Sequence, residues 1–209
     1  MICVEKIETF NWRAAVRGMR NPLNSWDRSD STYSNDAHYY LGKNDLELMH
    51  KLYSAGPEHR KYMRQIQVSM DITAPLYWWK EFDTYKIGTV ANSCSTMHKI
   101  MDKEFTKEDF SFDNMNGNVE DISYTMGVVN YLNKQRKIYL DTKSKITWRK
   151  VIETLPSSYN QKRTVTMNYE NVVNIIHQRT GHKLYEWNEF VNVLWQLPYL
   201  KDIVGNSAS

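Results

Sequence analysis

The run Gln65–Lys86, Q-I-Q-V-S-M-D-I-T-A-P-L-Y-W-W-K-E-F-D-T-Y-K, most constrains what this chain can fold into. Its first half alternates: Ile66, Val68, Met70 and Ile72 are apolar, and Gln67, Ser69 and Asp71 are polar. A period of two puts the apolar set on one face of a half-buried strand. Thr73 then offers a hydroxyl N-cap, and Pro75 sits near the first helical position, where its missing N–H costs nothing. The spacing predicts a strand that passes almost without a loop into an aromatic helix, Leu76–Phe82. That helix delivers Asp83, Thr84, Tyr85 and Lys86 to the turn beyond it. Polar groups at the end of a rigid helix are well placed to meet a ligand, although any helix ends in such groups.

Around this run the chain alternates between helical and short extended patterns. Cys3–Glu8 reads as an edge strand, and Trp12–Met19 as a helix stopped by Asn21-Pro22. Asn24–Asn35 is a polar loop. Asn44 is the expected cap of an amphipathic helix, Asp45–Ala55, with Leu46, Met49, Leu52 and Tyr53 on one face and Gly56-Pro57 as its stop. Gly88–Ser95 is small and polar, and Asn116-Gly117 is a turn signal. A long helix is predicted from about Val119 to Leu140, with Ile122, Met126, Val129, Leu132-Asn133 and Arg136 along its stripe and Gly127 as an interruption. Ile146–Leu155 is a further helix, and Val165–Met167 a short strand. Asn168 can cap the helix Tyr169–Arg179, closed by Gly181, and Tyr185–Leu197 is the last helix, ended by Pro198. The pattern is α+β, helix-rich with a small antiparallel sheet. It is expected to be one domain over residues 1–204, with a disordered tail over 205–209.

Two cysteines exclude a disulfide framework and a cysteine-rich zinc site. No apolar run approaches the roughly 20 residues that span a bilayer, and the N-terminus lacks a signal-peptide layout. A cytoplasmic protein is expected, with no metal and no membrane partner. A net charge of +3, spread along the chain, does not point to nucleic acid. It suits a small anionic ligand. Seven Trp and fourteen Tyr suit core and subunit interface better than stacking on a ligand. Dinucleotide-binding and phosphate-binding glycine loops are absent from the sequence, so nucleotide binding would need a less common fold.

Two stretches, with their spacing, resemble the flavin-dependent thymidylate synthases. In that family an alternating strand leads through Ala-Pro into a helix ending in R-H-R, with a serine after seven intervening residues. Here Ala74-Pro75 and the helix match, and the signature position reads Thr84-Tyr85-Lys86. The serine falls on Cys94 without a gap, or on Ser95 with one inserted residue. The second stretch offers Leu155-Pro156, Thr166-Met167-Asn168, Asn174 and Arg179. The resemblance covers about Asn44–Lys99 and Lys150–Leu197 in outline.

It implies a reductive methylation of dUMP to dTMP, with FAD as cofactor and reduced nicotinamide and methylene-tetrahydrofolate as co-substrates. It also implies a homotetramer. Thr84, Tyr85, Lys86, Asn168 and Asn174 would contact flavin, with Tyr85 and Lys86 nearest the chemistry. Glu81, Asn92, Cys94, Ser95 and Arg179 would contact the pyrimidine nucleotide. Tyr85 can stack and donate a hydrogen bond in place of His, and Lys86 keeps a charge but loses the fork of Arg. Glu170 stands where the family has Arg, and Ile152 where it has a nucleotide-contacting Arg that Arg149, a turn earlier, can replace. Glu81 and Glu170 place negative charge where phosphates are expected. Each residue also has a plainer role. Asn168 is a natural N-cap, Asn174 needs a partner if buried, Arg179 suits a helix C-terminus, and Cys94 suits a small buried site. The loss of R-H-R leaves a second possibility, a relative that binds a nucleotide or serves as an assembly or regulatory subunit without turnover.

Overall fold

The computed structural model describes residues 1–34, 39–115 and 117–205. Asn116 of the expected turn, and the tail beyond Gly205, lie outside them. Helix makes up 51% of the chain, so the small antiparallel sheet is the minor partner and the class is α+β. The order is β1 (Cys3–Phe10), α1 (Trp12–Arg20), β2 (Thr32–Tyr33), β3 (Tyr39–Tyr40), α2 (Lys43–Ser54), β4 (Gln67–Pro75), α3 (Leu76–Phe82), β5 (Thr89–Ser93), α4 (Val119–Thr142), α5 (Lys145–Thr154), β6 (Asn160–Asn168), α6 (Tyr169–Arg179), α7 (Tyr185–Leu194) and α8 (Leu200–Val204). The four longer strands form one sheet in the order β1-β4-β6-β5, with β1 at an edge as its sequence predicts. β2 and β3 pair separately.

The chain divides into two compact units. The first comprises Met1–Cys3, Asp71–Thr84 and Ala91–Thr164. In it α3 buries Trp78, Trp79 and Phe82, whose rings lie 4.9–5.3 Å apart. Thr73, the expected cap, remains in β4, and Pro75 holds the N-cap position with no side-chain bond. Backbone carbonyls serve instead: Leu76 N–H donates to Tyr159 O and Tyr77 N–H to Ser157 O, both at 3.0 Å. A second cluster packs Ile100, Met101, Phe105, Phe110 and Phe112 against Val129, Leu132 and Val151. Asn133 clamps this segment, accepting from Phe105 N–H and donating to Phe105 O, each at 2.8 Å. The expected stripe of α4 is corrected at its start. Thr125, Val129, Leu132 and Gln135 are buried, whereas Ile122 and Met126 are exposed. The 125–129–132 line faces the cluster, and Ile122 and Met126 lie off it.

The second unit comprises the described residues of Val4–Met70, Tyr85–Val90 and Val165–Ser209. Trp12 meets Tyr169 edge-on at 5.1 Å and Tyr199 at 5.6 Å. α6 buries Val172, Val173, Ile175 and Ile176, as its pattern predicts, and α7 buries Trp187, Phe190, Val191 and Leu194. α7 stops before the predicted Leu197. Tyr199, at φ 58, breaks the path and a short α8 begins at Leu200. Asn44 is not the cap of α2, because the helix starts at Lys43 and Gly42 is the N-cap. Asp30 takes the capping role from outside, accepting from Asn44 N–H at 2.9 Å and Asp45 N–H at 3.1 Å.

Asp45 itself is fully buried. It accepts from Arg20 Nε at 2.6 Å, from the hydroxyls of Ser29 and Ser31 at 2.7 and 2.6 Å, and from the backbone of Asp30 and Ser31. The polar loop before α2 is therefore folded around one carboxylate.

β6 is longer than predicted because its polar residues have partners on β4. Within the first unit Thr164 Oγ1 donates to Asp71 at 2.6 Å and Lys162 lies 3.2 Å from the same carboxylate. Within the second, Ser69 and Thr166 hydroxyls meet at 3.1 Å. Asp71 is buried rather than on a solvated face, which these partners permit.

Candidate functional site

The signature-position residue Tyr85 and the helix-end residue Arg179 come together. Arg179 Nε donates to the Tyr85 hydroxyl at 2.8 Å, and that hydroxyl donates to Gln178 Oε1 at 3.0 Å. The Arg179 guanidinium lies over Trp187, 4.4 Å from the ring centroid, and His182 Nε2 is 3.2 Å from Arg179 Nη1. Tyr85 also meets Trp187 edge-on at 6.1 Å. The sequence puts Arg179 in the last turn of α6, where the macrodipole favours a cation. The aromatic floor fixes its direction. Lys86, beside Tyr85, is exposed and makes no ion pair or hydrogen bond among the described residues.

At the other end of α6, Asn168 is the N-cap: its Oδ1 accepts from Asn171 N–H at 2.9 Å. Asn171, which sequence reading missed, ties the signature loop down. Its Nδ2 donates to Ile87 O at 2.7 Å and to Thr89 Oγ1 at 2.9 Å. Gly88, at φ 71, lets the loop approach; a Cβ there would stand 2.6 Å from Asn168 Nδ2. Asn168→Ala is expected to lower stability by about 1 kcal/mol, and Asn168→Asp to restore most of it, as measured by urea denaturation. Asn174 is exposed, so the demand for a buried partner does not arise.

Glu170 does not stand as a bare negative charge. Arg64 Nε bonds it, and Arg60 Nε lies 3.6 Å from its other oxygen. Arg60 Nε is buried without a hydrogen bond, while its guanidinium lies 5.1 Å from the Tyr53 ring centroid. The Tyr53 hydroxyl in turn sits 3.2 Å from His177 Nε2. The trio Arg60, Arg64 and Glu170 carries one net positive charge. The sequence signal was the basic segment around Arg60, which reads as a solvated helix face.

The remaining predicted residues belong to the first unit. Thr84 caps the end of α3, its hydroxyl donating to Glu81 O at 2.7 Å. Asn92 lies exposed on β5. Cys94 is exposed, not buried as its size suggests, because its backbone is what β6 holds: Cys94 N–H donates to Lys162 O and Cys94 O accepts from Gln161 Nε2. Ser95 Oγ accepts from His98 N–H at 3.0 Å. Cys94 and Ser95 border a cleft of about 480 Å³ lined also by Lys99, Lys103 and Lys162. Lys99 and Lys103 are paired with Asp102 and Asp109. Ile152 packs against the phenylalanine cluster, and Arg149 is paired with Glu153 at 2.7 Å.

Neither family models nor curated protein sequences match the chain. Solved structures do. A crystal structure of thymidylate synthase X (ThyX) from Helicobacter pylori, with FAD and dUMP, matches with a TM-score of 0.70 at 16% identity, covering 100% of this chain and 99% of that one. A second structure of that flavin-dependent enzyme, also complexed with FAD and dUMP, gives 0.69 at 17% identity over 98% of both chains. The chain therefore has the fold of the flavin-dependent thymidylate synthases.

Proposed function

We propose that this protein is a divergent flavin-dependent thymidylate synthase that binds FAD and dUMP and carries out the reductive methylation of dUMP to dTMP. The observation that carries this reading is the joining of Tyr85, at the signature position, to Arg179 on an aromatic floor. That pair sits in a fold whose solved examples hold FAD and dUMP. The residues fit an anionic, flat cofactor. Arg60 Nε is buried and unbonded, Arg60 and Arg64 outweigh Glu170, and Lys86 adds an unpaired charge.

In this reading Arg60, Arg64 and Lys86 hold the cofactor's phosphates, and Asn168 and Asn174 are further flavin contacts. Reduced FAD supplies the hydride when bound. In this reading the Arg179 guanidinium meets the nucleotide, its fork suiting a phosphate or a carbonyl edge. The Tyr85 hydroxyl accepts from Arg179 and gives its one proton to Gln178, so in this reading it turns that proton away from Gln178 to donate toward charge developing on the pyrimidine. Methylene-tetrahydrofolate and reduced nicotinamide are the co-substrates, and the protein acts in the cytoplasm as a homotetramer. Exposed apolar residues along α4, including Val119, Ile122 and Met126, support self-association.

The test is conversion of dUMP to dTMP by purified protein with FAD, methylene-tetrahydrofolate and reduced nicotinamide. Product formation that requires the protein and all three additions supports the reading. Flavin binding without any product favours the second reading, nucleotide binding without turnover. That reading rests on position 84, where Thr carries no charge.

A further inference from the structure

We propose a second ligand site in the same unit, a groove along α1 that takes a mononucleotide through its phosphate and its base. Arg13, Arg17 and Arg20 follow one face of α1 at spacings of four and three. Arg20 is buried and committed to Asp45 and to Ser25 O. Arg13 and Arg17 are exposed and make no ion pair or hydrogen bond among the described residues. Two like charges one turn apart repel, and nothing described beside them offsets that. An exposed arginine pair is ordinary on a helix, and what sets this one apart is its surroundings.

Both line a groove of about 530 Å³, within the range of small-molecule sites. Trp26 lines the same groove half-exposed, with its indole N–H tethered to Asn21 Oδ1 at 2.9 Å, so the ring is held and not free to turn. Ser29 lines it too and spends its proton on Asp45, which leaves the hydroxyl oxygen as an acceptor for a ribose hydroxyl. Two unpaired guanidinium forks match the two faces of a phosphate, and a fixed indole matches a flat heterocycle. Inorganic phosphate would leave the indole unused, and an unphosphorylated nucleoside would leave the forks unused. A phosphorylated nucleoside uses both.

The test is calorimetric titration of the full chain with AMP, UMP, adenosine and inorganic phosphate. Saturable AMP or UMP binding is expected, with adenosine and phosphate each at least tenfold weaker. Arg13→Gln/Arg17→Gln should weaken nucleotide binding at least tenfold, and Trp26→Leu several-fold. Arg13→Lys/Arg17→Lys, which keeps the charge and the helix face, should fall between. The proposal is overturned if neither nucleotide binds, if phosphate alone binds as tightly as AMP, or if the double Gln variant keeps full affinity.

Discussion

Asp45→Ala is expected to lower the unfolding free energy by about 3–5 kcal/mol, because it strands a buried guanidinium and several donors at once. Arg20 is almost wholly buried, and Asp45 is its counter-ion at 2.6 Å. The hydroxyls of Ser29 and Ser31 and the backbone of residues 30 and 31 close on the same carboxylate. Removing it loosens the loop before α2 as well as the end of α1. Urea denaturation followed by circular dichroism reads the effect, and a loss under 1 kcal/mol would contradict it.

The same carboxylate gives a pH dependence. Burial raises its pKa, but the hydrogen bonds of Ser31, Ser29 and Arg20, with the charge of Arg20, outweigh burial and hold it below the ordinary aspartate value. The unfolded chain therefore binds that proton more tightly. The stabilisation is fully present above the ordinary value of about 3.9, and it is lost as pH falls through the lower folded-state pKa. Wild type should lose more stability than Asp45→Ala over that acid range.

Arg179→Ala is expected to weaken dUMP binding by about tenfold to a hundredfold, the range for removing a charged hydrogen-bond donor worth about 1.5–3 kcal/mol. Arg179→Lys should recover little of it. A lysine keeps the charge but cannot lie flat on Trp187 while forking to Tyr85 and a ligand. Equal dUMP affinity in wild type and Arg179→Ala would leave Arg179 as only a packed helix end.

Much of the fold was legible in the chain itself. Gln65–Lys86 announces a strand entering a helix because both periods, two and then 3.6, are written in apolar residues, and the alternating set with Trp78, Trp79 and Phe82 ends up buried. Asn168 was legible as a cap because a side-chain oxygen before an apolar run has one strong local use. What escaped was decided by residues far apart in sequence. Asp30 caps α2 from across a loop, so Asn44 was not needed. The negative charge of Glu170 looked adverse until the fold brought Arg60 and Arg64 to it. Asn171 carries no pattern of its own, and its role appears only once the 87–89 loop lies against α6. β5 was hidden because its pairing with β6 rests on backbone groups, which small polar side chains do not advertise. On α4 the stripe read from the sequence began at Ile122 and Met126, and packing against the phenylalanine cluster kept only its Val129 and Leu132.

The decisive measurement is the visible absorption spectrum of the purified protein after incubation with FAD and desalting, repeated with dUMP added. If Arg60, Arg64 and Lys86 replace the charges that the missing R-H-R would supply, the protein retains a flavin band, and dUMP perturbs it. A colourless protein that releases all added FAD would contradict that claim, leaving the fold without the cofactor that the solved structures of similar fold hold.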